Sequence, residues 1–339
     1  MSAGAIACRA CADARRSALG EGAAARGALL ALPGCDCQTL PVGERRKRLL
    51  LPGAGPLAEL STRYFAEVRQ WVAVAKGCDV RALGAVADVA LGLGSGWRRC
   101  DAVARATGEM LERYGAALVP PDSGERVELT DWRGVPCGHG DAAAAWLPFR
   151  RRGRPVLPAS STGLGFAFER KRALRAAAYE MIERNAIDVL ACGGPGHAQA
   201  LGPVWIGAVA GQGFRIAAPL PVALVLIAGA RGRIVAAGAA ARPRSDAALI
   251  AARREAALGW LVAQDRVLPG AGLRGADLLG PLADFPLSEW PVAGCGIDAM
   301  PPWRGMLARR FAFADLTPGD IAAAGGWVVR AMERAAADA

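Results

Sequence analysis

Glu109-Met110-Leu111-Glu112-Arg113 and Glu180-Met181-Ile182-Glu183-Arg184 are two copies of one pattern, set 71 positions apart. The offset holds beyond the pentapeptide: Gly94 aligns with Gly165, Ala102 with Ala173 and Ala106 with Ala177. Each copy reads as a glycine-rich loop, a helix of small residues and a charged motif at the helix end. Repetition of this kind predicts two related supersecondary units packed together. Residues three apart share a helix face, so Glu109 points with Glu112 and Glu180 with Glu183. Two carboxylates side by side repel unless a cation stands between them. If the helices face one another, four carboxylates converge, an all-oxygen set suited to Mg²⁺ and badly matched to zinc. Carboxylate-held Mg²⁺ ordinarily carries phosphate oxygens too, which points to a nucleotide. One copy alone would read as a surface helix with its own ion pairs. The apolar pairs Met110-Leu111 and Met181-Ile182, preceded by alanine runs, instead predict buried helices, on which a doubled acidic pair is not a solvated face.

Outside the repeat, the chain has the make-up of a soluble globular protein. It has 339 residues, of which 53% are hydrophobic and 21% charged, ample for one large domain or two modest ones. The net charge of +10 predicts an anionic partner, whether nucleotide, acidic peptide or nucleic acid. The densest basic runs, Arg45-Arg46-Lys47-Arg48 and Arg150-Arg151-Arg152, have no interleaved aromatics. They read as solvated faces, and nucleic-acid binding is not expected. The start of the chain lacks signal-peptide character, and the longest apolar run, Pro219 to Ala230, is too short to span a bilayer. Nine scattered cysteines argue against a disulfide framework. Together these features predict a cytoplasmic protein with no membrane partner.

The first sixty residues are irregular in pattern and end in the Leu51-Pro52-Gly53-Ala54-Gly55-Pro56 linker. This suggests a cysteine-containing extension, residues 1–55, ahead of a domain spanning 56–339. Within the domain, a β-leaning run at Trp71 to Ala75 precedes a glycine turn at Gly92 to Gly96 and a helix from Arg99 to Ala116. Pro120 to Gly140 is turn-rich, Ser160 to Gly165 is a second small-residue loop, and a helix follows from Glu169 to Leu190. Strands are expected at Val204 to Val209 and at Val222 to Ile227, the latter in a hairpin with Ile234 to Ala240. A third helix runs from Asp246 to Gln264, and Trp327 to Val329 is β-like. The class is α/β in the mixed, α+β sense. Cys8, Cys11, Cys35 and Cys37 are candidates for a four-thiolate Zn²⁺ site. His139 and His197 read as loop residues, and Cys137 and Cys192 as small buried thiols.

Gly94-Ser95-Gly96, through a helix ending Gly108-Glu109-Met110-Leu111-Glu112-Arg113-Tyr114, resembles the first motif of the YcaO family. Ser160-Ser161-Thr162-Gly163-Leu164-Gly165, leading to Glu180 through Ala186, resembles the second. The hairpin near Val222 and the helix bearing Glu255 fit the third part. Asp315 to Asp320, followed by Trp327-Val328-Val329-Arg330, fits the C-terminal part. The resemblance implies a YcaO-like fold of repeated glycine loop–helix units packed on β-sheets, and an ATP-dependent enzyme. In that enzyme Glu109, Glu112, Glu180 and Glu183 hold Mg²⁺, while Arg113, Arg184, Glu255 and Arg330 serve the nucleotide; Arg172, in place of the family's acid, reverses a charge there and either weakens metal binding or contacts a phosphate directly. The implied reaction adds a nucleophile to a peptide amide and phosphorylates the resulting oxyanion, and loss of phosphate leaves an azoline or a thioamide. Metal and cations supply the charge stabilisation that phosphoryl transfer needs. The implied partners are a precursor peptide of a ribosomally made natural product, a protein that delivers its leader, and a second copy of the chain in a homodimer.

The sequence departs from the family at Ser95, where a cation is usual, and at Phe168, Arg172 and Ala176, where polar or acidic contacts are usual. Gln one turn after Glu255 is also missing, as is a proline-rich tail. These departures support an alternative: a non-catalytic scaffold of the same fold that binds precursor peptide or a catalytic partner.

Overall fold

The structure is a computed structural model. It describes residues 7–19, 29–33, 35, 40–85, 90–119, 124–146, 149–151, 154–156, 161–193, 197–229, 232–267, 288, 290 and 310–334. Helices α1 (Arg9–Leu19) and α2 (Val42–Leu49) precede the strands β1 (Leu57–Phe65), β2 (Gln70–Gly77) and β3 (Leu91–Gly96), and then α3 (Arg99–Ala117). Strands β4 (Arg126–Thr130) and β5 (Pro136–Asp141), a short α4 (Ala142–Ala145), the hairpin β6 (Phe149–Arg151) and β7 (Arg154–Val156), and β8 (Leu164–Ala167) lead to α5 (Arg170–Gly193). Next come β9 (Ala198–Ile206), β10 (Val209–Ile216), β11 (Val222–Ala228), β12 (Ile234–Ala241) and α6 (Ser245–Ala263). The chain closes with β13 (Phe311–Asp315), α7 (Gly319–Ala323) and β14 (Trp327–Glu333).

The strands form antiparallel sheets in the orders β1-β2-β3, β5-β4-β13-β14-β8 and β12-β11-β10-β9. The mixed α+β class and all three long helices match the sequence reading. Among the described residues, no helix is long and apolar enough to cross a membrane.

Gly92, Gly94, Gly96 and Gly165 were expected in loops and instead lie on strands β3 and β8. The reason is close approach. A Cβ at Gly94 would fall under 3.0 Å from the backbone of Ala102 and Ala106, and one at Gly165 as close to Ala173 and Ala177. Each glycine lets its helix lie directly on the strand before it, with alanines at the contact, so the repeated Gly/Ala/Ala set is a packing code. A third unit obeys the same code: Gly238 on β12 meets Ala252 and Ala256 of α6 equally closely. Its longer connection hides it from a fixed-offset comparison.

Strand β11 is buried on both faces, and its burial follows the period of two. Val222, Leu224 and Leu226 pack with Leu174, Ala178 and Ile182 of α5. Ala223, Val225 and Ile227 pack with Ala252, Ala256 and Leu261 of α6. The near-continuous apolar run is what two covered faces require.

Other expectations need correction. The first sixty residues contain two helices, and the basic run lies on α2. Gly138-His139-Gly140 lies on β5, paired with β4. The strand expected at Val204 to Val209 instead straddles the turn of a hairpin of β9 and β10, whose glycines and proline had masked the strand pattern. Ser160 and Cys37 lie outside the described residues. The segment before residue 56 packs on the rest: Leu29, Leu30 and Leu49 join a core with Met110 and Leu111. Arg15 is fully buried in an ion pair with Asp320 of α7 and also donates to Tyr114 Oη of α3 at 3.0 Å.

Candidate functional site

The three glycine-strand units deliver their acids to one place. Glu109 and Glu112 of α3, Glu180 and Glu183 of α5 and Glu255 of α6 line a single cavity of about 900 Å³. Arg113, Arg172, Arg175, Arg184 and Arg242 line it too, and Leu91, Leu93, Leu258 and Val262 give it an apolar wall. That wall follows from alternation along β3. Its glycines face α3, whereas Leu93 and Ser95 face α6; Ser95 Oγ donates to the Arg254 carbonyl at 3.1 Å. Ser95 is thus spent on helix packing and does not line the cavity.

Backbone groups orient the acids of α3. The Leu93 N–H donates to Glu109 Oε2 at 2.7 Å, and the Phe166 N–H to Glu112 Oε1 at 2.8 Å. Arg113 pairs with Glu109 at 2.6 Å and donates to the Leu91 carbonyl at 2.8 Å. Glu255 accepts from the Ala239 N–H. On α5, Glu183 is 6% exposed and lies 4.0 Å from Arg184.

Burial dominates the electrostatics. It raises all five carboxyls above the ordinary glutamate range. Glu112 and Glu183 are raised furthest, each with a further push from a like charge: Glu180 on Glu112, and Glu255 on Glu183. Glu180 is pushed up to about 7 by burial, with Glu109 and Glu255 adding to the rise and Arg184 opposing it. Arg113, Arg184, Arg242 and Arg330 pull these values down without offsetting the burial. An acidic cluster left electrostatically short of cations is chemically complementary to Mg²⁺, and its donors are all oxygen. The oxygens do not crowd onto one point, however. Among the described residues, Cys8, Cys11 and Cys35 alone bring three metal-ligating atoms within 4.8 Å of one another. The glutamates are spread around a cavity, as fits ions shared with a ligand's own oxygens.

The remaining sequence candidates divide. Arg113, Arg184 and Glu255 line the cavity. Arg172 lines it as well, but is 72% exposed and paired with Glu169 at 2.8 Å. Arg330 is not in the lining; it is buried, donates to the Ala145 carbonyl at 3.2 Å and acts on Glu180 through charge. Desolvation brings its own pKa down to about 10. Phe168 carries the Arg46 guanidinium 4.2 Å over its ring. Arg242, missed in the sequence, stands at the end of β12, where it faces Glu183 and Glu255. Only its place at the end of an apolar strand marked it. Cys137, Cys192, His139 and His197 are exposed, contrary to the buried reading of the two thiols.

No family model and no curated protein match the sequence. Solved structures do match. One is the structure of YcaO from Methanopyrus kandleri bound with AMPPCP and Mg²⁺, 16% identical, TM-score 0.60, covering 86% of this chain and 87% of that one. A heterocyclase in complex with substrate and cofactor is 13% identical with TM-score 0.58; it covers 86% of this chain, which spans 51% of its length. The E. coli microcin synthetase McbBCD complex is 10% identical with TM-score 0.53, covering 81% of this chain and 87% of the other. At such identities the likeness speaks for architecture. Agreement with the YcaO structure over most of both chains, joined to the repeated glycine-strand units, gives this protein the YcaO fold.

Proposed function

We propose that this chain is an ATP- and Mg²⁺-dependent enzyme that modifies backbone amides of a peptide, forming azolines or thioamides as a ribosomally made peptide natural product matures. The observation that carries the reading is the cavity on which five glutamates with raised pKa values, Glu183 buried and the other four half-buried, meet five arginines. It is supported by a neighbour of the same fold bound with AMPPCP and Mg²⁺. In this reading Glu109, Glu112, Glu180 and Glu183 hold Mg²⁺, and Arg113, Arg184 and Arg242 balance phosphate charge. Glu255 and Arg330 set the field around Glu183 and Glu180, and Arg172 reaches phosphate from the cavity mouth. Backbone N–H groups of β3 and β8 fix Glu109 and Glu112 before any ligand arrives, which is the pre-organisation that phosphoryl transfer rewards. Bound ATP would supply the phosphoryl group that turns an amide oxygen into a leaving group. The leucine wall at β3 and α6 gives an apolar surface for the base.

The microcin synthetase neighbour is a multi-protein complex that has also been seen with pro-MccB17 bound. That supports a peptide substrate and a partner protein here. A reconstituted reaction with precursor peptide and Mg-ATP should show a mass loss of water per azoline, or an oxygen-for-sulfur gain per thioamide. Glu183→Gln should abolish it.

A second reading, a non-catalytic scaffold, is favoured by one observation: Arg172 and Ala176 line the cavity and supply no acid. It predicts peptide binding without nucleotide binding, and product formation by this chain as the sole YcaO protein would exclude it.

A further inference from the structure

We propose that Cys8, Cys11 and Cys35 bind a zinc ion that clips the start of α1 to the segment after it. The three ligand atoms lie within 4.8 Å of one another, and Cys8 Sγ is 4.0 Å from Cys35 Sγ. A tetrahedral zinc with Zn–S bonds of about 2.3 Å separates its sulfurs by about 3.8 Å. A disulfide would need about 2.0 Å. Cys11 is buried, and its Sγ accepts the Leu32 N–H at 3.4 Å, a backbone contact that fixes the direction of the sulfur. Three soft thiolates select zinc over Mg²⁺, so this site does not compete for the ion of the glutamate cavity. Among the described residues these three thiols are the ligand set, and a tetrahedral zinc would take one ligand more.

The clip has a structural purpose. Arg15 lies one turn beyond Cys11 on α1, and its buried guanidinium joins Ala31 O, Tyr114 Oη and Asp320. Ala31 belongs to the same segment as Leu32 and Cys35. Zinc would therefore fix both walls of the Arg15 site, and through Tyr114 the helix that carries Glu109 and Glu112.

The test is metal analysis of the purified full-length protein. About one zinc per chain is expected, falling at least tenfold in Cys8→Ser, Cys11→Ser and Cys35→Ser and staying unchanged in Cys137→Ser, which alters an exposed thiol on β5. Chelation should lower the melting temperature by several degrees, and added zinc should restore it. Cobalt substituted into the wild type should show thiolate-to-metal charge transfer and tetrahedral visible bands, a readout that survives if a variant fails to fold. Wild-type protein without zinc and without a cobalt spectrum would overturn the proposal. So would a Cys8–Cys35 disulfide found by mass spectrometry of unreduced, alkylated protein.

Discussion

The acids of α3 and of α5 occupy equivalent places in the repeat, yet the protein holds them differently. Those of α3 are tied down: Glu109 and Glu112 accept strand N–H groups, and Tyr114, one residue past Arg113, is clamped by Arg15 and Asp320. Among the described residues, no hydrogen-bond donor reaches Glu180 or Glu183, and arginine charge is their main compensation. The difference suggests a division of labour. Helix α3 is a fixed wall whose acids also serve the fold, and α5 presents acids whose oxygens are left for a ligand.

The clamp offers the largest effect. Arg15→Met should leave Asp320 buried without its partner and destabilise the protein by about 3–5 kcal/mol in chemical denaturation. A loss below ~1 kcal/mol would mean that α3 is not held from its C-terminal end. The packing code should fail equally in both units: Gly94→Ala and Gly165→Ala should each cost about 1–3 kcal/mol, since the neighbouring backbone must move. Gly108→Ala, whose Cβ meets only Phe166 at 3.9 Å, should instead gain about 0.5–1 kcal/mol.

The acids themselves should split. Glu112→Ala removes the acceptor of the Phe166 N–H and should cost about 1–3 kcal/mol of stability. Glu183→Gln should leave the metal-free fold as stable or more so, because burial disfavours ionisation of the carboxyl and the amide cannot ionise. Equal losses in the two variants would erase the contrast between the helices.

The smallest effect is a slope with pH. Glu180 titrates near 7 in the fold, above the value of about 4.3 expected in an unfolded chain. Between those values the folded state binds more protons, so this group's stabilisation is complete below pH ~4.3 and lost as pH rises through about 7. The metal-free melting temperature, followed from pH 5 to 8, should therefore carry a falling component that Glu180→Gln removes. A slope untouched by the substitution would place Glu180 outside the buried cluster.

Much of this was legible in the sequence, for a physical reason. Two glutamates three apart, preceded by alanines, define a helix face whatever the surroundings, so α3, α5 and their four acids could be read directly. The glycines were misread because glycine marks turns and close packing alike, and only the helix lying over β3 and β8 separates the two. The helix α6 was read, but its pairing with Gly238 as a third unit escaped because the connection between them is longer than in the other units. Arg242 escaped because its role depends on where the sheet ends relative to α5 and α6. The buried position of Arg15 depends on Asp320, more than three hundred residues away, which no local pattern encodes.

The central claim is that the cavity of five glutamates is a Mg²⁺-dependent nucleotide site, and titration calorimetry tests it most directly. ATP should bind the wild-type protein only with Mg²⁺ present, and Glu183→Gln should weaken that binding at least tenfold, about 1.4 kcal/mol or more, while the melting temperature of the metal-free protein holds or rises. Absence of Mg-ATP binding by the wild type, or equal binding by the variant, would contradict the account.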